Sequence, residues 1–391
     1  MKSYRYLIVG GGMTADAACR GIRERDPDGS IGLVGDELHP PYNRPPLSKA
    51  LWKGKEESSI WRETAALGVD LRLGRRVVAL DLADRRATDD QGEVYAYERL
   101  LLATGGRPRR LPFGGDDVVY FRTLDDYRRL SGAEPGHAVV IGGGFIGSEI
   151  AAALASNGWK VSLLFPEDGI GSRLFPPELA AFLVDYYRSH GVEVLPGETV
   201  TGVERTGGGL EVQTGSGPLP AASCVVAGLG IEPNVELAEA AGLQTANGIV
   251  VDDRGRVAGR DDVFAAGDVA RFPAKLLATE LRVEHEDHAK SHGAHVGRTM
   301  AGADEPYDHL PFFYSDLFEL GYEAVGEVDS RLATQAVWVE PNRKGVVCYV
   351  DGENRPRGFL LWDVWGKVDA ARDLIGVGEP VGADSLERLA A

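Results

Sequence analysis

The chain has 391 residues, 43% hydrophobic and 26% charged, the composition of a folded globular protein too long for one ordinary core, so two or three domains are expected. A formal charge of −17 works against nucleic acid and anionic membrane surfaces, since both would repel it. Three cysteines, Cys19, Cys224 and Cys348, form no Cys-x-x-Cys pair and point to neither a disulfide framework nor a thiolate metal site. No apolar stretch reaches spanning length and no cleavage signal precedes the first glycines, so a cytoplasmic protein without a membrane span is expected.

In chain order, residues 4–9 read as a strand entering Gly10-Gly11-Gly12, followed by a helix to residue 25 and a strand at 31–34. The pattern returns at 138–165, where Gly142-Gly143-Gly144-Phe145-Ile146-Gly147 opens the second helix. Two such units about 130 residues apart suggest two dinucleotide-binding halves. Returning strands are expected at 100–105, ending in Ala103-Thr104-Gly105, at 223–227 before Gly228-Leu229-Gly230, and at 262–266 before Gly267-Asp268. From about residue 303 the pattern changes to antiparallel strands at 323–328, 334–339, 345–350 and 357–362, with Asp351-Gly352 as a turn. A helix at 364–375 and a loosely ordered glycine-rich tail complete the reading.

The motif Gly10-x-Gly12-x-x-Ala15 lies between a strand and a helix, where a pyrophosphate can rest on the helix N-terminus. The first glycine permits the turn, the second admits the phosphates, and the small third residue lets helix and strand pack closely. Asp36 follows Ala15 by 21 residues, at the end of the next strand, where a carboxylate can accept from a ribose hydroxyl. Gly142-x-Gly144-x-x-Gly147 repeats the design, with Glu167 placed 20 residues beyond Gly147. Two dinucleotide motifs in one chain most naturally mean FAD and NAD(P)H. The alternative for either is a glycine turn that binds nothing.

Further runs make a resemblance specific: Tyr42-Asn43-Arg44-Pro45-Pro46-Leu47-Ser48-Lys49, Ala103-Thr104-Gly105, Gly144-Phe145-Ile146-Gly147-Ser148-Glu149 and Phe165-Pro166-Glu167. To these add Ala265-Ala266-Gly267-Asp268, Val283-Glu284-His285-Glu286-Asp287-His288 and Tyr314-Ser315-Asp316-Leu317. With them the chain resembles the pyridine nucleotide-disulfide reductase superfamily, in the branch of apoptosis-inducing factor and the NADH-dependent ferredoxin reductases.

The resemblance implies an α/β fold with two Rossmann-like domains of three-layer ββα architecture and a C-terminal α+β domain. The expected bounds are 1–110 and 233–302 for FAD, 111–232 for NADH and 303–391 for the last domain. It also implies roles. Arg44 and Arg109 resemble residues that contact FAD, and Asp268 the carboxylate that holds its ribityl chain. Lys49 resembles a lysine near flavin N5 paired with Glu149, where a cation favours the electron-rich reduced ring. Phe145 resembles a ring that shields the flavin and moves when nicotinamide stacks, and its alternative is core packing. Tyr314 takes an aromatic position often held by tryptophan, Arg173 resembles a basic residue near the nucleotide, and Gly230, Glu284 and His285 fall in motifs that line the cofactors.

His285, His288, His292 and His295 fall within about 80° of arc on a helix. One helix gives no tetrahedral metal geometry, so no metal is expected. The preferred reading is a helix whose N-terminus faces the flavin pyrimidine edge and stabilises negative charge there. The expected chemistry is hydride transfer from NADH to FAD and onward electron transfer to an acceptor, whether ferredoxin, quinone or oxygen, with no redox-active disulfide. The alternative is an NADH-responsive interaction protein with slow turnover. Neither the acceptor nor the assembly, monomer or homodimer, is written in the motifs.

Overall fold

Leu7-Ile8-Val9, Leu33-Val34, Leu100-Leu101-Leu102 and Val263-Phe264-Ala265 are continuous apolar runs, the pattern of strands covered on both faces. In the computed structural model, which describes residues 1–391, they share one sheet. Contacts divide the chain into two units. The first comprises Met1–Arg44, Glu56–Arg107 and Glu232–Pro311; the second comprises Pro45–Lys55, Pro108–Ile231 and Phe312–Ala391.

In the first unit the strands run Val69–Leu73, Ile31–Gly35, Lys2–Val9, Val94–Leu102, Arg86–Asp89, Val77–Asp81, with Val263–Ala265 also paired to Val94–Leu102. Its parallel core holds one register: Val9 faces Val34 on one side and Leu102 on the other, and Leu102 faces Ala265. Four chain segments therefore leave the sheet side by side at their carboxyl ends, where open α/β sheets bind ligands. Helices Met13–Arg25 and Glu286–Met300 pack on it, and Ile8, Ala18, Ile22, Leu101, Phe264, Val296 and Met300 share its core. The two helices approach closely because Gly21 and Gly297 lack side chains; a Cβ at either would lie 2.1 or 2.2 Å from the carbonyl oxygen of Ala294 or Ala18.

In the second unit a five-stranded parallel sheet runs Glu193–Pro196, Lys160–Phe165, His137–Ile141, Cys224–Ala227, Val118–Tyr120. An antiparallel sheet of Val200–Thr206, Gly209–Thr214 and Gly217–Pro218 covers one face, and Val203, Leu210 and Val212 meet Val139, Ile141 and Val225 in a shared core. With helix Phe145–Ser156 beside the parallel strands, this is the expected three-layer ββα arrangement. The C-terminal sheet runs Phe312–Leu317, Leu320–Gly326, Pro356–Trp362, Lys344–Val350, Ala333–Glu340, antiparallel throughout.

Three readings of the C-terminal part need correction. The helix expected from residue 364 spans Val368–Val377, because Asp363 and Gly366 take positive φ and turn the chain first. The strand expected at 323–328 spans Leu320–Gly326 and stops where Gly326 takes a φ of +77°. The tail is not loose: Ala383–Ala390 is a helix that buries Leu386 and Leu389 against Ala333–Glu340 and Lys344–Val350. No helix of the chain is long and apolar enough to cross a membrane.

Candidate functional site

In the first unit, Gly10 follows Val9 with a φ of +129°, and a Cβ there would lie 2.1 Å from the Ala103 carbonyl oxygen. Glycine alone lets the turn pass so close to the neighbouring strand end. At Gly12 a Cβ would meet no heavy atom within 4 Å, so the space before helix Met13–Arg25 is open. The first-turn N–H groups of such a helix start can receive an anion, and Ala15, fully buried, packs the helix on the sheet. This arrangement fits a dinucleotide pyrophosphate.

The other exits from this sheet are held by their own bonds. Thr104 and Asn234 bond reciprocally, hydroxyl to carbonyl at 2.9 Å and amide to carbonyl at 2.8 Å, and Gly105 accepts the Asn234 N–H. Gly267 takes a φ of +74°, and the Asp268 carbonyl accepts from Arg282, which also pairs with Glu284 at 2.9 Å. Asp36 stands exposed just past Ile31–Gly35 and pairs with Arg76 at 2.7 Å. Its neighbour Glu37, unmarked in the sequence reading, binds the Arg44 guanidinium and accepts the Tyr42 hydroxyl at 2.6 Å. Two adjacent acids after one strand were the available signal.

His285 is the N-cap of helix Glu286–Met300. His288 and His292 are fully buried and stacked, with ring centroids 4.7 Å apart, among Phe272 and Tyr307. His292 Nδ1 accepts the Gly267 N–H at 3.4 Å, while the Nε2 atoms of His288, His292 and His295 have no hydrogen-bond partner. Burial pushes the His292 imidazole down to about 3 and His288 well below its ordinary range. No group of three or more His, Cys, Asp or Glu side chains is arranged to hold a metal.

The second unit repeats the glycine turn. Gly142 takes a φ of +111°, a Cβ at Gly147 would strike the Gly142 carbonyl oxygen at 1.8 Å, and one at Gly144 would meet nothing within 4 Å. Again the open cradle lies before a helix start, Phe145–Ser156, and fits a second pyrophosphate. Glu167 follows strand Lys160–Phe165 and pairs with Arg173 at 2.8 Å. Gly230 accepts the backbone N–H of Arg109 at 3.0 Å.

Phe145 is 38% exposed, which sets aside the core-packing alternative, and its ring meets Phe313 edge-on at 5.1 Å. One helical turn further on, Glu149 is buried. Lys49 Nζ donates to its Oε1 at 2.6 Å, bringing together two residues 100 positions apart in the chain. The segment that supplies Lys49, Pro45–Lys55, belongs to this unit: the Trp52 ring packs on Tyr127, and its carbonyl accepts from Asn157. Ser48 and Ser315 also donate to Glu149, at 2.6 and 2.5 Å, and the Tyr314 ring centroid lies 5.2 Å from Lys49 Nζ. The hydroxyl of Ser315 was missed because a contact across 166 positions leaves no local sequence pattern.

Two nucleotide-binding folds, each with an open phosphate cradle, together with a half-buried lysine–glutamate pair and unbridged cysteines, define a class: flavin- and nicotinamide-dependent oxidoreductases without a redox disulfide. The family model described as pyridine nucleotide-disulphide oxidoreductase matches residues 4–293, and the C-terminal model of mitochondrion-associated apoptosis-inducing factor matches 296–343. The chain belongs to the pyridine nucleotide-disulphide oxidoreductase family and is an FAD-dependent NAD(P)H oxidoreductase. It is 33% identical to apoptosis-inducing factor 1, mitochondrial, of Dictyostelium discoideum, over 96% of this chain and 79% of that one. It is equally 33% identical to monodehydroascorbate reductase 3 of Arabidopsis thaliana, over 83% and 81%. Among solved structures it is similar to the covalent putidaredoxin reductase–putidaredoxin complex, with a TM-score of 0.90 and 30% identity over 100% of this chain and 96% of that one.

Proposed function

We propose that the chain is an NADH-dependent reductase that delivers electrons to a ferredoxin-type protein. The observation that carries this reading is the likeness, over the full chain, to putidaredoxin reductase solved in covalent complex with putidaredoxin. FAD, when bound, supplies the chemistry, accepting two electrons from the nicotinamide and releasing them to the acceptor.

The chain's own residues bind and orient. Residues 1–110 and 233–302 hold FAD, with Gly10, Gly12 and Ala15 under its pyrophosphate and Asp36, Arg44, Arg109 and Asp268 as polar contacts. Residues 111–232 hold NADH, with Gly142, Gly144 and Gly147 at the pyrophosphate and Glu167 accepting from the adenosine ribose. Phe145 covers the place where nicotinamide stacks. Lys49, tied to Glu149, sets a positive charge beside the flavin and favours its reduced form. Positioning and this charge supply the catalysis, so no acid–base triad is called for.

Anaerobic reduction of the yellow holoprotein by NADH, followed by a panel of acceptors read at the flavin band, tests the reading. Reoxidation much faster by a ferredoxin than by quinone or oxygen is expected; a ferredoxin no faster than oxygen would overturn it. The match of residues 296–343 to the apoptosis-inducing factor model favours a second reading, an NADH-responsive interaction protein. Its mark would be a long-lived reduced state and slow turnover with every acceptor.

A further inference from the structure

Strand Phe312–Leu317 runs beside the start of helix Phe145–Ser156, and the two periodicities interlock. Phe313 and Ser315, two apart on the strand, share a face; Phe145 and Glu149, four apart on the helix, share another. Phe313 meets Phe145, and Ser315 meets Glu149.

The second of these contacts has an unusual geometry. Ser315 is fully buried in the strand, where a serine hydroxyl ordinarily finds a backbone carbonyl. Here it donates at 2.5 Å to Glu149 Oε1, the same oxygen that takes Lys49 Nζ at 2.6 Å, while Ser48 takes Oε2. A carboxylate oxygen shared by a hydroxyl and an ammonium divides its negative charge between them. Less of the Lys49 charge is then cancelled, and the carboxylate is locked in one orientation. Tyr314, the residue between, completes the cage by presenting its ring to the same ammonium.

We infer that Ser315 is a positioning residue: through Glu149 it sets how much of the Lys49 charge acts on the flavin. This rests on the reading of Lys49 as the cation beside the flavin. With Ser315 removed, Glu149 Oε1 has only Lys49 to bind, the lysine charge is more fully cancelled, and reduced flavin loses stabilisation.

The test is an anaerobic redox titration and stopped-flow NADH reduction of FAD-loaded wild type, Ser315→Ala, Ser315→Thr and Lys49→Ala. Ser315→Ala should give a more negative flavin potential and reduction slower by roughly tenfold, the worth of one hydrogen bond to a charged group, with NADH affinity unchanged. Ser315→Thr, which keeps the hydroxyl, should restore most of both. A Ser315→Ala potential that stays put or moves positive, while Lys49→Ala shifts, overturns the inference alone, as does a threonine variant no better than alanine. An unshifted Lys49→Ala potential overturns the placement of Lys49 and the inference with it.

Discussion

Glu167 and Arg173 pair at 2.8 Å where the nucleotide's adenosine ribose is proposed to lie. A free 2′-hydroxyl can donate to this carboxylate, whereas a 2′-phosphate would meet a like charge. Steady-state kinetics should therefore favour NADH over NADPH, and Glu167→Ala should narrow the ratio of kcat/KM by roughly tenfold, chiefly by improving NADPH. Equal specificity constants in the wild type would count against the assignment. Lys49→Ala should slow flavin reduction by NADH while FAD stays bound, because Lys49 is held to act on the ring's electronics; loss of FAD instead would mark it as a binding residue. The glycine turns were legible in the sequence from their spacing, whereas the Lys49–Glu149 pair, 100 positions apart, was expected only from the family resemblance. Glu37 carried a signal in its place beside Asp36, though its bond to Arg44 shows only in the fold; the role of Ser315 was not legible, since its partner Glu149, 166 positions away, is brought to it by tertiary packing.

Helix Glu286–Met300 buries imidazoles that must remain uncharged. Below their ordinary pKa near 6.5, His288 and His292 take up protons in the unfolded chain but resist them in the fold. Folding stability should thus be complete above about pH 6.5 and fall as pH drops, by about 2 kcal/mol per imidazole at pH 5. Urea midpoints of the holoprotein at pH 7.5 and 5 would check this, and His292→Phe should flatten the slope. A slope unchanged by that variant would place the acid sensitivity elsewhere. At the opposite end of the chain, Leu386→Ala should cost about 2–4 kcal/mol of stability, read as a lower melting temperature. The helix that carries Leu386 escaped the sequence reading because Gly376, Gly378, Pro380 and Gly382 crowd before it, and eight residues leave little period to recognise. The parallel strands were readable because continuous apolar runs ended in glycine turns; the short antiparallel layer of Val200–Thr206 and Gly209–Thr214 is punctuated by Gly207 and Gly208, but Glu204, Arg205 and Glu211 leave it no continuous apolar run.

Over the whole molecule, the three thiols sit in separate elements: Cys19 in helix Met13–Arg25, Cys224 in strand Cys224–Ala227 and Cys348 in strand Lys344–Val350. Replacing all three with alanine should leave NADH–ferricyanide activity largely intact in folded protein, because electrons have no sulfur pair to pass through; loss of flavin reduction in that variant would contradict it. Burial also governs what these sulfurs can do chemically. It pushes Cys224 up to about 11 and Cys348 to about 12, and raises Cys19 further. Almost none is thiolate at neutral pH, and only the thiolate attacks peroxide or an alkylating agent. A flavoenzyme that draws on reduced nicotinamide would thus keep its own thiols out of the oxidant traffic around it, unlike proteins with an exposed, acidic cysteine.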